Sequence, residues 1–235
     1  MYCDPHIHLL PALDNGPSTV VESLAMLRAL QESGTRRIII TPHFYHDRET
    51  VSAFIARRRI ALRELLTHAG SIGHLSYALS AEVHLSPGVA RLPQLERLLI
   101  PNTRLLPVEL PIGRLDDWAI RELSYMMHKR SITPMICQSE RYFLMYSSVD
   151  YTKLSSLPSA MYEFTANSLL NKDVLSEVVR LVATDHQVVI GSNAHNAFDR
   201  RPIDEGLENK LKSEAPTPYK MLVLQTKECF ESVFN

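Results

Sequence analysis

The chain has 235 residues, 45% of them hydrophobic and 22% charged, and a formal net charge of −1. That is enough chain for a substantial core, and the near-neutral balance gives no electrostatic grip on nucleic acid or an anionic membrane. No apolar run reaches the length of a membrane-spanning helix, and no basic segment leads into an apolar one at the N-terminus, so a cytoplasmic protein without membrane insertion is expected.

In chain order, the run Cys3-Asp4-Pro5-His6-Ile7-His8 comes first. If it is extended, its period of two puts His6 and His8 on one face, where both can grip a single metal ion. The loop Leu13-Asp14-Asn15-Gly16-Pro17 would carry further polar groups past the strand end. Two buried core histidines remain the alternative. Thr19-Val20-Val21-Glu22 reads as a capping box, opening a helix with Val20, Leu24, Leu27 and Leu30 inward and a stop near Gly34. A buried strand follows from Arg37 to Thr41, ending at Pro42-His43. A helix from about Glu49 to His68 turns Val51, Phe54, Leu62, Leu65 and Leu66 inward and Arg57, Arg58 and Arg59 outward; Gly70 ends it.

Ser76 to Glu82 reads as a third strand, Gln94 to Leu98 as a helical turn, and Arg104 to Leu110 as a fourth strand despite Pro107. Asp116-Asp117 open a helix that His128-Lys129-Arg130 close, charges matching its dipole. Further strands span Ile132 to Cys137, Met161 to Thr165 and Gln187 to Gly191, with a helix from about Asp173 to Thr184 before the last. Helices near Ile203 to Ser213 and Tyr219 to Phe234 finish the chain. Strand and helix alternate without a linker or repeat. That predicts one α/β domain over residues 1–235 with a parallel sheet, the helices from about residue 203 packing on it. Seven strands interleaved with helices suit a barrel, whose chemistry gathers at the C-terminal strand ends.

Polar residues do mark those ends. They are His6 and His8, then His43, Glu82 and Glu109, then Gln138, Glu140 and Arg141, and last Asn193 and His195. His46, His68, His74, His84, His128 and His186 fall outside the pattern and read as surface, loop or core residues. Arg141, with Arg200 or Arg201, could hold an anion by bidentate hydrogen bonds, although each alone is more commonly a salt-bridge partner. Cys3, Cys137 and Cys229 are an odd number without metal-like spacing, which suits a reducing compartment. None opens a Cys-x5-Arg phosphate loop: Phe143 stands six residues after Cys137, and no arginine follows Cys229.

These stretches together resemble the PHP (polymerase and histidinol phosphatase) superfamily. Within it they are most similar to the bacterial manganese-dependent protein-tyrosine phosphatases of capsular and exopolysaccharide operons, the CpsB or YwqE type. The likeness rests on His6-Ile7-His8 with Leu13 to Pro17, Thr41-Pro42-His43, Ala81-Glu82, Val108-Glu109-Leu110-Pro111, Ser139-Glu140-Arg141-Tyr142, and Gly191 to Asn196 with Arg201-Pro202. It covers the chain to about Leu207.

The resemblance implies a distorted (β/α)7 barrel of the PHP type holding three divalent metals, Mn2+ or Fe, Zn or Mg. It places His6, His8, Glu82 and the position of Asn193 on the first metal. Glu82, Glu109 and the position of Gln138 fall on the second, and the position of Asn15, His43 and His195 on the third. It implies hydrolysis of phosphotyrosine by metal-activated water, with Glu109, Arg141 and Arg201 as catalytic residues and Arg141, Arg200 and Arg201 contacting substrate. The implied partner is a phosphotyrosine protein, a bacterial tyrosine autokinase of polysaccharide assembly.

The chain departs from that pattern at three ligands. Asn15 and Asn193 stand where the family has Asp, and Gln138 where it has His. Amide oxygens are neutral, so Glu82 and Glu109 are the only anionic ligands left and fewer than three ions are expected. Asp14 or Asp4 could substitute. Active hydrolysis, a pseudophosphatase that binds without cleaving, and hydrolysis of a small phosphate ester therefore stand side by side. An amidohydrolase, which also opens with His-x-His, would need a lysine at a mid-barrel strand end, and none is present.

Overall fold

The computed structural model describes residues 3–69 and 75–234; Gly70 and His74 lie outside the described residues. Strand β1 spans Cys3–Ile7 and is buried along its whole length. Helix α1 (Val20–Glu32) starts as its capping residues dictate. Thr19 Oγ1 accepts the Glu22 N–H at 3.2 Å, and the Glu22 carboxylate accepts the Ser18 N–H at 2.6 Å. It ends at Gly34, whose φ of 73° lets the N–H groups of Gly34 and Thr35 return to the carbonyls of Gln31 and Leu30.

Strands β2 (Arg37–Ile40) and β3 (His43–Phe44) are one run of sequence broken at Thr41-Pro42. Strands β4 (Ser76–Leu79) and β5 (Glu82–His84) repeat that break at Ser80-Ala81, and helix α2 (Val51–Ala69) lies between the two pairs. Its arginine run is not wholly solvated as expected. Arg58 is buried, and its guanidinium donates to the Ser80 carbonyl, bracing that break.

The second half continues with β6 (Leu105–Glu109), α3 (Asp117–Arg130), β7 (Thr133–Ile136), α4 (Ser139–Met145), α5 (Ser148–Ser155), β8 (Met161–Thr165), α6 (Lys172–Ala183), β9 (Gln187–Gly191), α7 (Glu205–Glu214) and α8 (Pro216–Cys229). The last helix begins earlier than Tyr219, with Pro216 in its first turn, and stops at Cys229 before a short 3-10 turn. Helices α4 and α5 are absent from the sequence reading. Both are too short to carry a clear 3.6-residue period.

All strand pairs are parallel, in a three-stranded sheet of order β1-β2-β4 and a six-stranded sheet of order β3-β5-β6-β7-β8-β9. The α/β class and parallel pairing are as expected. Among the described residues, no single ladder runs round all the strands. Individual hydrogen bonds carry the neighbour order across the breaks, from Thr41 N–H to the Ile7 carbonyl, Ser80 N–H to Ile40 and Glu82 N–H to Pro42, at 2.9 to 3.1 Å. On its other side β1 meets the segment after β9: the Asn193 N–H donates to the His6 carbonyl and the His8 N–H to the Ala194 carbonyl, both at 2.9 Å. Pro107 is tolerated because pairing with β5 begins only at Val108.

Alternation along the strands separates two faces. Ile39, Leu105, Met135, Met161 and Val189 meet in one apolar cluster. Leu106, Ile136, Tyr162, Val188 and Ile190 point the other way, into the cluster covered by the helices. Ile203, Leu211, Tyr219 and Leu222 join this second cluster. Two residues on from the first face, in the same inward row, stand Cys137, Glu163 and Gly191. No helix among the described residues is long and apolar enough to cross a membrane.

Candidate metal centre

The register of β1 shifts between Asp4 and Ile7, and the two imidazoles beside the shift turn inward. His6 and His8 are fully buried, their Nε2 atoms 3.3 Å apart. Each Nε2 lies 3.2 Å from the same oxygen, Glu82 Oε2 at the start of β5. From β3, His43 Nδ1 comes within 3.3 Å of that oxygen and 3.7 Å of Glu109 Oε2. Two donors about 2.1 Å from one ion at a tetrahedral angle stand roughly 3.4 Å apart, so these spacings suit ligands around a cation. The ring of His195, after β9, lies over that of His8 with centroids 3.8 Å apart. Three groups have ligand atoms within 4.8 Å of one another: His8, His43 and His195; His43, Glu82 and Glu109; and His6, Glu82 and Cys137.

Groups behind the imidazoles fix which nitrogen faces inward. His8 Nδ1 lies 2.6 Å from Asp14 Oδ2, and His6 Nδ1 lies 3.1 Å from Glu163 Oε2. A carboxylate only accepts, so each Nδ1 carries a proton toward it, and Nε2 is left as the atom that would face a metal. His195 Nδ1 donates likewise to the Asn193 carbonyl at 3.0 Å, leaving Nε2 buried without a partner. Burial, then the nearby His8 and Arg200 charges, push the His195 imidazolium down to about 2, so the ring is neutral at ordinary pH. Burial alone would raise the Glu82 carboxyl, but the facing imidazoles His6 and His43 hold it well below the usual carboxylate range.

The donor set fits a cation. Glu82 Oε1, Glu163 Oε1, Asn193 Oδ1, His43 Nδ1 and His195 Nε2 are buried without a hydrogen-bond partner. Five such atoms around one centre are costly unless an ion or water completes them.

The three amide positions part company here. Asn193 is buried in the left-handed region at φ 48°, its Oδ1 free for a ligand. Gln138, at φ 51°, turns its amide oxygen to the Arg141 guanidinium and its N–H to Glu163 Oε2 at 2.8 Å. Asn15 is exposed on the rim of a cavity of about 590 Å³ with Asp14, His43 and Tyr45. Neither aspartate considered as a substitute ligand is free. Asp14 bonds His8 and also accepts the N–H groups of His43 and Gly16, while Asp4 accepts those of His6 and Ser192.

Arg141 also donates to Glu109 Oε1 at 3.1 Å, which puts it at the centre's edge. Arg201 is turned away to Asp204 at 2.8 Å. Arg200 feels the charges of Glu82 and Arg141, and burial lowers its pKa first of all. The Arg200 carbonyl accepts the His195 N–H at 2.8 Å, which ties this arginine's main chain to the centre. Arg200 and Arg201 both line a cavity of about 650 Å³ that reaches Gln138 and Asn193, with Phe198 on its wall.

Three contributors escape the sequence reading. Glu163 carries no strand-end signal, because it lies in the middle of β8. Cys137 has no metal-like spacing and is brought in only by the inward row of β7. His84, set aside as unpatterned, bonds Glu109 Oε2 through Nδ1 at 3.1 Å. Among the other unpatterned histidines, His68 bonds its own helix at the Glu64 carbonyl, His128 is exposed, and His186 packs on Tyr162.

A family model described as capsular polysaccharide synthesis, CpsB/CapC, matches residues 2–226. The tyrosine-protein phosphatase YwqE of Bacillus subtilis is 25% identical over 233 residues, covering 91% of this chain and 86% of that protein. CapC of Staphylococcus aureus is 24% identical over 218 residues, covering 90% and 84%. A crystal structure reported for YwqE and Streptococcus pneumoniae CpsB, described as metal-dependent tyrosine phosphatases, superposes with a TM-score of 0.73 at 25% identity. The match covers 96% of this chain and 92% of that one.

Proposed function

This chain belongs to the capsular polysaccharide synthesis CpsB/CapC family, and on that premise we propose that it is a metal-dependent phosphatase hydrolysing phosphotyrosine in proteins. One observation carries the reading: three imidazole nitrogens crowd a single Glu82 oxygen, ringed by buried atoms without partners. A divalent metal, manganese or zinc, would supply Lewis acidity at the phosphoryl oxygens and lower the pKa of water. His6, His8 and Glu82 would hold one ion, and His43, His195 and Glu109 would border a second. With Gln138 tied to Arg141 and Asn15 on the surface, fewer than three ions are bound.

The remaining groups suit a phosphate ester. Arg141, bonded to Glu109 at the centre's edge, and Arg200, on the wall of the adjoining cavity, can neutralise a dianion with bidentate hydrogen bonds. The cavity of about 650 Å³ beside them has room for an aromatic ring and flanking peptide, with Phe198, 78% exposed, available for stacking. The family's link to capsular polysaccharide supports a tyrosine-phosphorylated assembly kinase as the substrate.

A second reading is a pseudophosphatase that binds the phosphorylated chain without cleaving it. The Gln138 amide favours it, being occupied by Arg141. Metal content and phosphotyrosine-peptide turnover, measured on one preparation purified without chelator, separate the two. Bound metal with manganese-stimulated turnover supports the phosphatase. Tight phosphopeptide binding without turnover under any dication would replace it with the pseudophosphatase. Faster turnover of small phosphomonoesters would move the substrate away from protein.

A further inference from the structure

We propose that Cys137 is a metal ligand, so that one ion is held by His6, Glu82 and Cys137 in a site that selects thiophilic zinc over manganese. The inference rests on the metal-dependent reading above and adds a ligand class to it.

The placement follows from β7. Met135 points to the inner cluster and Ile136 to the helix layer, so Cys137 points inward again, level with the base of the centre. It is 1% exposed, and its sulfur lies 3.6 Å from the Met135 carbonyl and within hydrogen-bonding reach of the His6 ring. Its Sγ lies with one ligand atom each of His6 and Glu82 inside a 4.8 Å group. The other group member, Glu82, has one carboxylate oxygen, Oε1, buried without a partner. Donors sharing one ion stand roughly 3.5 Å apart, so the group needs only a small inward adjustment.

The neighbouring residue explains why the thiol is available. Gln138, where a further ligand was anticipated, leaves the strand in the left-handed region and gives its amide to Arg141. Cys137, one residue earlier, offers a sulfur donor on the ion that His6 and Glu82 share. Glu163 orients His6 from behind, and a Cβ at Gly191 would lie 2.7 Å from Glu163 Oε1, so glycine there leaves room for the carboxylate. Ligation forms the metal–sulfur bond and releases the thiol proton to solvent, with no change of oxidation state. The thiolate supplies a negative charge where an amide has none, and its softness favours zinc and cobalt over manganese.

Cobalt(II) is the probe. The whole chain, stripped with chelator and titrated with cobalt, should develop a thiolate-to-cobalt charge-transfer band in the near ultraviolet. Cys137→Ser should bind cobalt without the band, and its zinc affinity should fall on the order of a hundredfold while manganese affinity changes far less. Cobalt binding without the band, or a band that persists in Cys137→Ser, overturns the proposal. Should the variant not fold, X-ray absorption of the zinc-loaded wild type decides: sulfur in the coordination shell supports the assignment, and a shell of nitrogen and oxygen alone refutes it. These readouts are independent of turnover, so an inactive protein with the band would fail as a phosphatase and keep its thiolate site.

Discussion

At Asp14 a single carboxylate bonds His8 Nδ1 at 2.6 Å and the main-chain N–H groups of His43 and Gly16. Asp14→Asn would leave the His8 tautomer unfixed, and divalent-metal affinity should fall about 10- to 100-fold by calorimetry. Unchanged affinity would remove Asp14 from the site. Glu140 behaves oppositely to a paired acid. Burial, then the Glu163 charge, push its carboxyl from 4.5 up to about 7, while Thr165 donates to it twice. A raised carboxylate keeps its proton in the folded state where the unfolded chain has lost it. Its stabilising effect is therefore full below about pH 4.5 and is lost as pH rises to 7. In chelator, the wild type should lose about 3 kcal/mol relative to Glu140→Gln across that window, read from denaturant unfolding of both proteins at each pH. The His-x-His pair was legible because spacing alone puts both rings on one face. The carboxylates behind the rings were not, because Asp14 and Glu163 reach them through the fold.

Strand ends rather than whole strands position the chemistry, and each must leave room for what arrives from its neighbours. A Cβ at Gly191, the last residue of β9, would meet Glu163 Oε1 at 2.7 Å and His6 Cβ at 3.1 Å. Gly191→Ala should cost about 1–3 kcal/mol in thermal or denaturant unfolding and weaken metal binding. An unaffected variant would mean that the Glu163 side chain moves freely. The seven strands read from the sequence fall on seven of the nine strands among the described residues, while β3 and all but the first residue of β5 were missed. Their breaks at Thr41-Pro42 and Ser80-Ala81 were not legible, since Arg58 bracing the Ser80 carbonyl is a contact across 22 residues. Helices α4 and α5 went unseen for a related reason. The first starts from the left-handed turn at Gln138, and that turn is held by Arg141 and Glu163 rather than by local propensity.

For the molecule as a whole, a centre lined with unpartnered buried atoms predicts that metal binding and stability are linked. Adding divalent metal to chelator-treated protein, at about a hundredfold excess over Kd, should add about 2.7 kcal/mol and raise Tm by about 5–10 °C. No shift with manganese, zinc or cobalt would contradict the metal centre. Restoring the family's ligands with Asn15→Asp, Gln138→His and Asn193→Asp together should increase bound metal per chain and turnover. If both stay unaltered, the amides are not the cause of a deficit. The family likeness was legible because its motifs sit at strand ends in chain order. The turn of Arg201 away to Asp204 was not, since that depends on how the loop after β9 folds back on His195.

The bonds from Asn193 to His6 and from Ala194 back to His8 also have a consequence in time. The first strand made is completed by almost the last, so the two histidines leave the ribosome long before the segment that latches them. At about 5–20 residues per second, that interval is roughly 10–40 s. During it His6 and His8 have no cage around them, so a metal held by both would be captured only after the segment following β9 has been made.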